Sequence, residues 1–342
     1  MTHQVTRPDG VVTIDIHCHV GSTDAEDLAK HSYRPEKDPF FFYSGPASEA
    51  YNKAHFSEIV PKLTLPEERL RDMDAMGIDI QAISVAPPQY YYWAEADLGM
   101  KLARMQNDNL ARIVAERPDR FVGLGTVPLQ DVAATLDELD RIAHDLRFPG
   151  IEICTNVNGL DFDDPRFLPF WERVRDLDLL VVVHPNGFTH GERLAAYYLI
   201  NTVGMPLDST VFLARLIFGG VLERVHDLKV CVVHGGGYLP SYPSRYDHAW
   251  NERADVREFI PDHPPSHYLK GLFFDTMLYD ANELGTLVAR YGADHVLLGT
   301  DYPYDMGEDD PVRLICSVEG LSDDERSLIL GGNAARLLKL EG

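Results

Sequence analysis

Thr13-Ile14-Asp15-Ile16-His17-Cys18-His19 is an apolar run that ends in two histidines two residues apart. A β-strand sends residues i and i+2 to the same face, so both imidazoles leave the C-terminal end of such a strand in one direction, able to share a metal ion. Cys18, between them, points to the opposite face and is not counted as a ligand. A His-x-His alone says little. Three further polar groups give it weight: His184, His234 and Asp301 also stand at the C-terminal ends of apolar runs, at 179–183, 229–233 and 296–300.

Between these runs the chain alternates. Further apolar segments at 78–85, 121–127, 150–154 and 272–275 complete a set of eight strands, and helical patterns at 66–76, 130–146 and 165–178, with a helical region over 191–225, fill intervals between them. A long amphipathic helix carries Leu102, Met105, Leu110, Ile113 and Val114 on one face and stops before Pro118. Near-continuous apolar strands separated by helices mark a parallel sheet covered on its faces. Eight such units in 342 residues predict an α/β fold, a (β/α)8 TIM barrel forming one domain over 1–342. A doubly wound open sheet is the alternative, but it offers no obvious place where five polar groups converge. The stretch 20–65 interrupts the alternation. Rich in proline, serine and aromatics, as in Asp38-Pro39-Phe40-Phe41-Phe42-Tyr43-Ser44-Gly45-Pro46, it reads as an irregular but ordered insertion over the mouth of the barrel.

The charge balance, 31 Lys and Arg against 54 Asp and Glu, gives a formal −23 and argues against a nucleic-acid partner, which is bound through Lys and Arg. No run approaches the ~18 apolar residues of a membrane span. The N-terminal Met1-Thr2-His3-Gln4-Val5-Thr6-Arg7-Pro8 has no apolar stretch of the leader type. Cys18, Cys154, Cys231 and Cys316 have no Cys-x-x-Cys spacing and read as buried small hydrophobes in a reducing compartment. A cytoplasmic protein is the expectation.

In a barrel of this kind the active site lies at the C-terminal ends of the strands. Strand order puts His17 and His19 on the first strand, His184 on the fifth, His234 on the sixth and Asp301 on the eighth. Three neutral imidazoles and one carboxylate suit one borderline divalent cation, zinc by expectation with manganese as the alternative, and leave a position open for water. The pair on the first strand, His184 across the barrel and Asp301 from the neighbouring eighth strand make a four-ligand set. His234 then remains as the general acid/base.

His17-Cys18-His19, His184-Pro185, His234-Gly235-Gly236-Gly237 and Gly299-Thr300-Asp301-Tyr302-Pro303 resemble the amidohydrolase superfamily. Tyr92-Trp93-Ala94, the run Arg120–Thr126 and Val203-Gly204-Met205-Pro206 carry the resemblance to its decarboxylase branch, typified by the 2-amino-3-carboxymuconate-6-semialdehyde decarboxylases. The resemblance extends over most of the chain. It implies metal ligands His17, His19, His184 and Asp301, a catalytic His234, and a substrate-carboxylate grip at Arg245, where a guanidinium can bind in bidentate fashion. It also implies a homodimer in which that arginine reaches the neighbour's site. Binuclear relatives bridge two metals with a carbamylated lysine at the end of the fourth strand, but Ile151-Glu152-Ile153-Cys154 holds none, so one metal is expected. Two departures matter. A second substrate-binding arginine of the type enzyme falls near Val60, yet no arginine lies between Arg34 and Arg69, and Asn186 stands where that enzyme has tryptophan.

Several residues have two readings. Gln89-Tyr90-Tyr91-Tyr92-Trp93 follows the second strand, where Trp93 can stack on a planar unsaturated acid or simply pack under the insertion. Asn186 can donate to substrate or hold a turn, and Asp275 reads as a helix cap rather than as a partner orienting a ligand histidine. The expected activity is metal-dependent decarboxylation of an unsaturated or aromatic carboxylic acid, a small molecule of aromatic catabolism, using a metal-bound water and His234. A hydrolase or hydratase acting on a ring-cleavage product, lactone or amide with the same site is the alternative. A non-catalytic barrel fits worst, because none of the five polar groups is missing.

Overall fold

The computed structural model describes residues 7–340; the expectation that the N-terminus lacks an apolar leader-type stretch rests largely on residues 1–6, which lie outside that span. Eight parallel strands form one sheet in sequential order: β1 (Ile14–Val20), β2 (Ile80–Val85), β3 (Phe121–Gly125), β4 (Gly150–Ile153), β5 (Leu180–Val183), β6 (Lys229–Val232), β7 (Phe273–Asp275) and β8 (Val296–Leu297). The first and last strands close on each other, with Ile16 N donating to Leu298 O at 2.9 Å and Asp301 N to His17 O at 2.8 Å. This is the TIM barrel expected. Among the described residues no helix is long and apolar enough to cross a membrane.

Alternation divides the strand residues into two layers. Leu180, Val182, Cys231, Val233 and Leu297 pack with Ile14 and Ile16 in one cluster inside the barrel, while Val181, Val183, Val230 and Val232 pack outward against the helices. Side chains such as Trp171, Phe170 and Phe212 are fully buried in the outer layer, each contributing roughly 1.5–3 kcal/mol by leaving water. All four cysteines are buried free thiols.

The insertion departs from its reading as irregular. It contains α1 (Thr23–Ala29), α2 (Pro39–Phe42) and the 19-residue α3 (Pro46–Thr64), followed directly by α4 (Pro66–Met76). Pro46 starts α3 where its missing N–H costs nothing. The helix escapes periodicity reading because apolar and polar residues are scattered around it: only Asn52 and Ile59 are buried. Beyond it come α5 (Ala96–Glu116), α6 (Val132–His144) and α7 (Leu168–Asp176). The helical region expected over 191–225 is broken into short turns, α8 (Met205–Phe218) and α9 (Val221–Arg224). The remaining helices are α10 (Pro243–Glu252), α11 (Pro265–Leu269), α12 (Ala281–Tyr291), α13 (Pro311–Cys316), α14 (Asp323–Ser327) and α15 (Asn333–Leu337).

Candidate active site

One extra residue in β1 aims the site. Against β2, Asp15 pairs with Gln81 but Cys18 pairs with Ile83, so the register shifts by one between them. Such a bulge re-aims the side chains that follow it. Ile14 and Ile16 face the barrel interior, Asp15 faces outward to Gln81 and Thr300, and after the bulge His17 and His19 both turn inward while Cys18 packs in the outer layer. The same-face reading of the two histidines holds.

His17, His19, His184 and Asp301 are all buried, and one ligand atom from each lies within 4.8 Å of the others. Asp301 Oδ1 stands 3.3 Å from His17 Nε2, 3.1 Å from His19 Nε2 and 3.8 Å from His184 Nε2. Each imidazole is anchored by its other nitrogen. His17 Nδ1 meets Asp275 Oδ2 at 2.7 Å, His19 Nδ1 meets the Val85 carbonyl at 3.2 Å and His184 Nδ1 the Pro185 carbonyl at 2.6 Å. Engaging Nδ1 in this way leaves Nε2 as the nitrogen turned to the site, the arrangement of metal-ligating histidines. His17 Nε2 and His184 Nε2 are buried and have no hydrogen-bond partner. Three imidazole nitrogens and a carboxylate that converge, two of those nitrogens with no other partner, fit one divalent ion.

The protonation states follow from the packing. Burial penalises the charged form of Asp301, but His17, His184 and His19 outweigh it and hold the carboxyl well below the usual range. Burial also works against charge on His17, yet Asp301 and Asp275 keep its pKa well above that of a free imidazole. His184, where burial dominates, is driven well below it and stays neutral.

His234 completes the ring of imidazoles, its centroid 5.0 Å from His184 and 5.2 Å from His17. Its Nε2 lies 3.5 Å from Asp301 Oδ2, and its buried Nδ1 has no partner. Strand alternation after the inward Val233 would turn residue 234 outward. Instead His234 adopts φ 56° and Gly235 φ 60°, left-handed values that a non-glycine residue adopts at a cost and that concentrate at functional sites. Asp301 shares the trait at φ 54°. Gly299 lets β8 approach closely, since a Cβ there would stand 2.9 Å from Asp275 Oδ2 and 3.0 Å from His17 Cβ.

Sequence reading favoured a cap at Asp275. The structure overturns the cap: no helix starts there, since α12 is capped by Asp280, and Asp275 instead holds His17 while its Oδ1 accepts from Gly235 N at 2.8 Å and Met277 N at 3.3 Å in the turn after β7. Glu152 was missed as a neighbour of the site. Fully buried on β4, it accepts from Ser84 Oγ and Tyr90 OH, each at 2.8 Å, and lies 3.9 Å from His19 Nδ1; burial raises its pKa. A carboxylate inside an otherwise apolar, doubly covered strand was the signal. Arg69 was missed too: almost completely buried, it donates to Gln81 Oε1 at 2.9 Å and to the His19 carbonyl, and its guanidinium lies 4.7 Å from the Tyr302 ring.

The other expected substrate residues separate. Asn186 lines the cavity above the cluster together with His184, His234, Asp301, Phe56 and Tyr304. Trp93 lines two adjoining cavities instead, edge-on to Tyr33 and Tyr91. Arg245 is not brought to the cluster within one chain: it is exposed on α10, in a groove with Phe218 and Phe259.

Asn186 is held by an unusual carboxylate. Asp38, 3% exposed, accepts from Asn186 Nδ2 at 3.1 Å and Tyr33 OH at 3.2 Å. Burial pushes its pKa up to about 6 from 3.8. A folded-state pKa above the unfolded one means stability present at low pH is lost as pH rises from about 4 through about 6, to a total of about 3 kcal/mol. Asp38→Asn keeps the bond from Asn186, and the Tyr33 hydroxyl can turn to accept from the new amide. The variant should therefore resist urea better than the parent at pH 8, with the advantage vanishing near pH 4. An advantage independent of pH would refute this account.

The amidohydrolase family model matches residues 14–340. The chain is 35% identical to the 2-amino-3-carboxymuconate-6-semialdehyde decarboxylase of Dictyostelium discoideum over 329 residues, 96% of this chain and 92% of that protein. The crystal structure of the 5-carboxyvanillate decarboxylase LigW from Sphingomonas paucimobilis superposes with a TM-score of 0.84 at 26% identity, covering 96% of this chain and 99% of that one. The fold is also that of the 5-carboxyvanillate decarboxylase from Novosphingobium aromaticivorans, solved in complex with manganese and 4-hydroxy-3-methoxy-5-nitrobenzoic acid (TM-score 0.85, 24% identity, 99% of both chains).

Proposed function

The chain belongs to the amidohydrolase family, and from that premise we propose that it is a metal-dependent carboxy-lyase that removes carbon dioxide from an unsaturated or aromatic carboxylic acid. The observation that carries this reading is the arrangement of four imidazoles about one buried carboxylate, three of them anchored through Nδ1 and the fourth, His234, with a nitrogen unengaged. His17, His19, His184 and Asp301 would hold the ion. A divalent ion, when bound, supplies a positive centre that gathers the substrate's oxygens and steadies the negative charge that develops as the carbon–carbon bond weakens.

His234, whose Nε2 turns toward Asp301, would deliver a proton to the carbon that bears the carboxylate. Once that carbon carries the proton, the electron pair of its bond to the carboxylate returns to the unsaturated system. Carbon dioxide departs, and the proton occupies its place. Asp301 keeps the positive character of the ring cluster balanced, Asp275 holds His17 and the Gly235 backbone together, and Asn186 offers an amide at the cavity wall.

Zinc suits a set of three nitrogens and one oxygen, and manganese is the alternative. A homodimer would bring Arg245, which makes no ion pair among the described residues, to a neighbour's cavity as a grip on the reacting carboxylate beside the metal cluster. The cytoplasm remains the proposed location.

The test is carbon dioxide release by the metal-loaded protein from a panel of hydroxybenzoates and unsaturated acids. Release from at least one, matched by the protonated product, is the expected result. Turnover of an unsaturated keto acid or lactone with no carbon dioxide from any acid would replace this reading with the hydratase or hydrolase.

A further inference from the structure

The inserted helix α3 presents to the site two polar side chains that each carry a buried nitrogen with no hydrogen-bond partner among the described residues. Asn52 and His55 are one turn apart on that helix and both line the cavity shared with His184, His234 and Asp301. Asn52 is 6% exposed. Its Nδ2 and the Nε2 of His55 are buried without a hydrogen-bond partner. Leaving a buried donor unpaired is costly, and folded proteins rarely tolerate two such groups side by side. On a helix that roofs a cavity, their natural partner is the molecule that fills it.

The surrounding charges define what that molecule carries. Within one chain no lysine or arginine among the described residues lines this cavity, and its carboxylates are Asp301 and Asp305. The Tyr198 hydroxyl donates to Asp305 Oδ1 at 3.4 Å and leaves that carboxylate its charge. The reacting carboxylate has the metal cluster and, in a dimer, the neighbour's arginine to meet it, but an anionic group on the α3 side would face the Asn52 amide, the His55 imidazole and the Asp305 carboxylate.

We propose that Asn52 and His55 are the specificity-determining residues of the α3 side of the site. They hydrogen-bond a neutral oxygen substituent of the substrate, a hydroxyl, methoxy or carbonyl group, and thereby select acids with one carboxylate over dicarboxylates. This deepens the decarboxylase reading and rests on it for the identity of the reacting group. A site whose donors are matched to a substrate oxygen discriminates strongly against analogues that lack it, because the donors are then left buried and bare.

The experiment uses the full-length, metal-loaded protein with three sets of acids: hydroxybenzoates, the same benzoates without the hydroxyl, and benzene dicarboxylates with a carboxylate in its place. Carbon dioxide release gives kcat/KM, and quenching of intrinsic fluorescence gives affinity independently of turnover. The parent should prefer hydroxybenzoates to both other sets by at least about 10-fold. In Asn52→Ala and His55→Ala the ratio of kcat/KM between hydroxy and plain acids should fall at least about 10-fold, and His55→Arg should raise the standing of dicarboxylates by a similar factor. The arginine variant keeps the inference testable if the alanine variants fail to fold. Equal losses on all three sets, an unmoved preference in the arginine variant, or a parent that favours dicarboxylates would overturn it. If no acid releases carbon dioxide, the decarboxylase reading fails alone, and the fluorescence selectivity and its loss in Asn52→Ala decide this inference separately.

Discussion

Replacing His234 with asparagine should lower kcat for carbon dioxide release by about 10²–10⁴-fold, the range of a positioned proton donor, while metal content stays at one ion per chain. The separation of the two effects is the point. His234 sits beside the four-residue cluster, with its Nε2 3.5 Å from Asp301 Oδ2, outside the set whose ligand atoms converge within 4.8 Å. Removing it should take away proton transfer and spare the ion. Asparagine is the better substitution because residue 234 has φ 56°. Asparagine tolerates that left-handed backbone, whereas alanine pays roughly 1–2 kcal/mol for it, so His234→Ala confounds catalysis with stability. The measurement is kcat alongside metal analysis and a urea titration on the same sample. Loss of the ion in His234→Asn would make His234 a ligand and remove it from the proton-donor role.

The convergence of these five side chains was legible from strand order alone, because a barrel brings the C-terminal ends of its strands to one mouth. His17, His19, His184 and Asp301 needed only the alternation of apolar runs to be placed. The bulge in β1 was not legible: nothing in Ile14-Asp15-Ile16-His17 says that Ile16 and His17 both face inward, since the extra residue is imposed by pairing with β2. Glu152 and Arg69 were hidden for a related reason. Their partners Ser84, Tyr90, Gln81 and the His19 carbonyl come from other strands and a loop, and only the fold makes those groups neighbours. The helix α3 lacked a periodic face because it covers a mouth rather than a core, so its polar residues Asn52 and His55 look inward where an apolar stripe would be expected. Arg245 shows the opposite limit. Its sequence position invited a role in the site, yet within one chain α10 carries it to an exposed groove.

The isosteric Asp301→Asn should be the most damaging single change to the metal site. The purified protein should hold one divalent ion per chain, and this variant should bind it more than about 10²-fold more weakly, exceeding the 10–100-fold typical of residues that merely orient ligands. Asp301 is the one anionic member of the cluster, and its Oδ1 is the atom about which the three Nε2 atoms gather. Asp275→Asn supplies the comparison, because it alters only the partner of His17 Nδ1 and the Gly235 amide and should fall within that 10–100-fold range. An ion that binds the folded chain and not the unfolded one adds about 4 kcal/mol when present at a thousandfold excess over its dissociation constant. Chelation should therefore lower the melting temperature of the parent protein and leave Asp301→Asn almost unmoved, since the variant has little bound ion left to lose. Without its ion the parent still keeps Asp301 paired with His17, whereas the variant leaves His17 facing a neutral amide; the chelated parent should thus melt above the variant, and the two should respond differently when metal is returned. Recovery of the parent alone is the expected outcome. An Asp301→Asn protein that binds one ion as tightly as the parent would remove Asp301 from the ligand set, and two ions per chain in the parent would end the single-metal account.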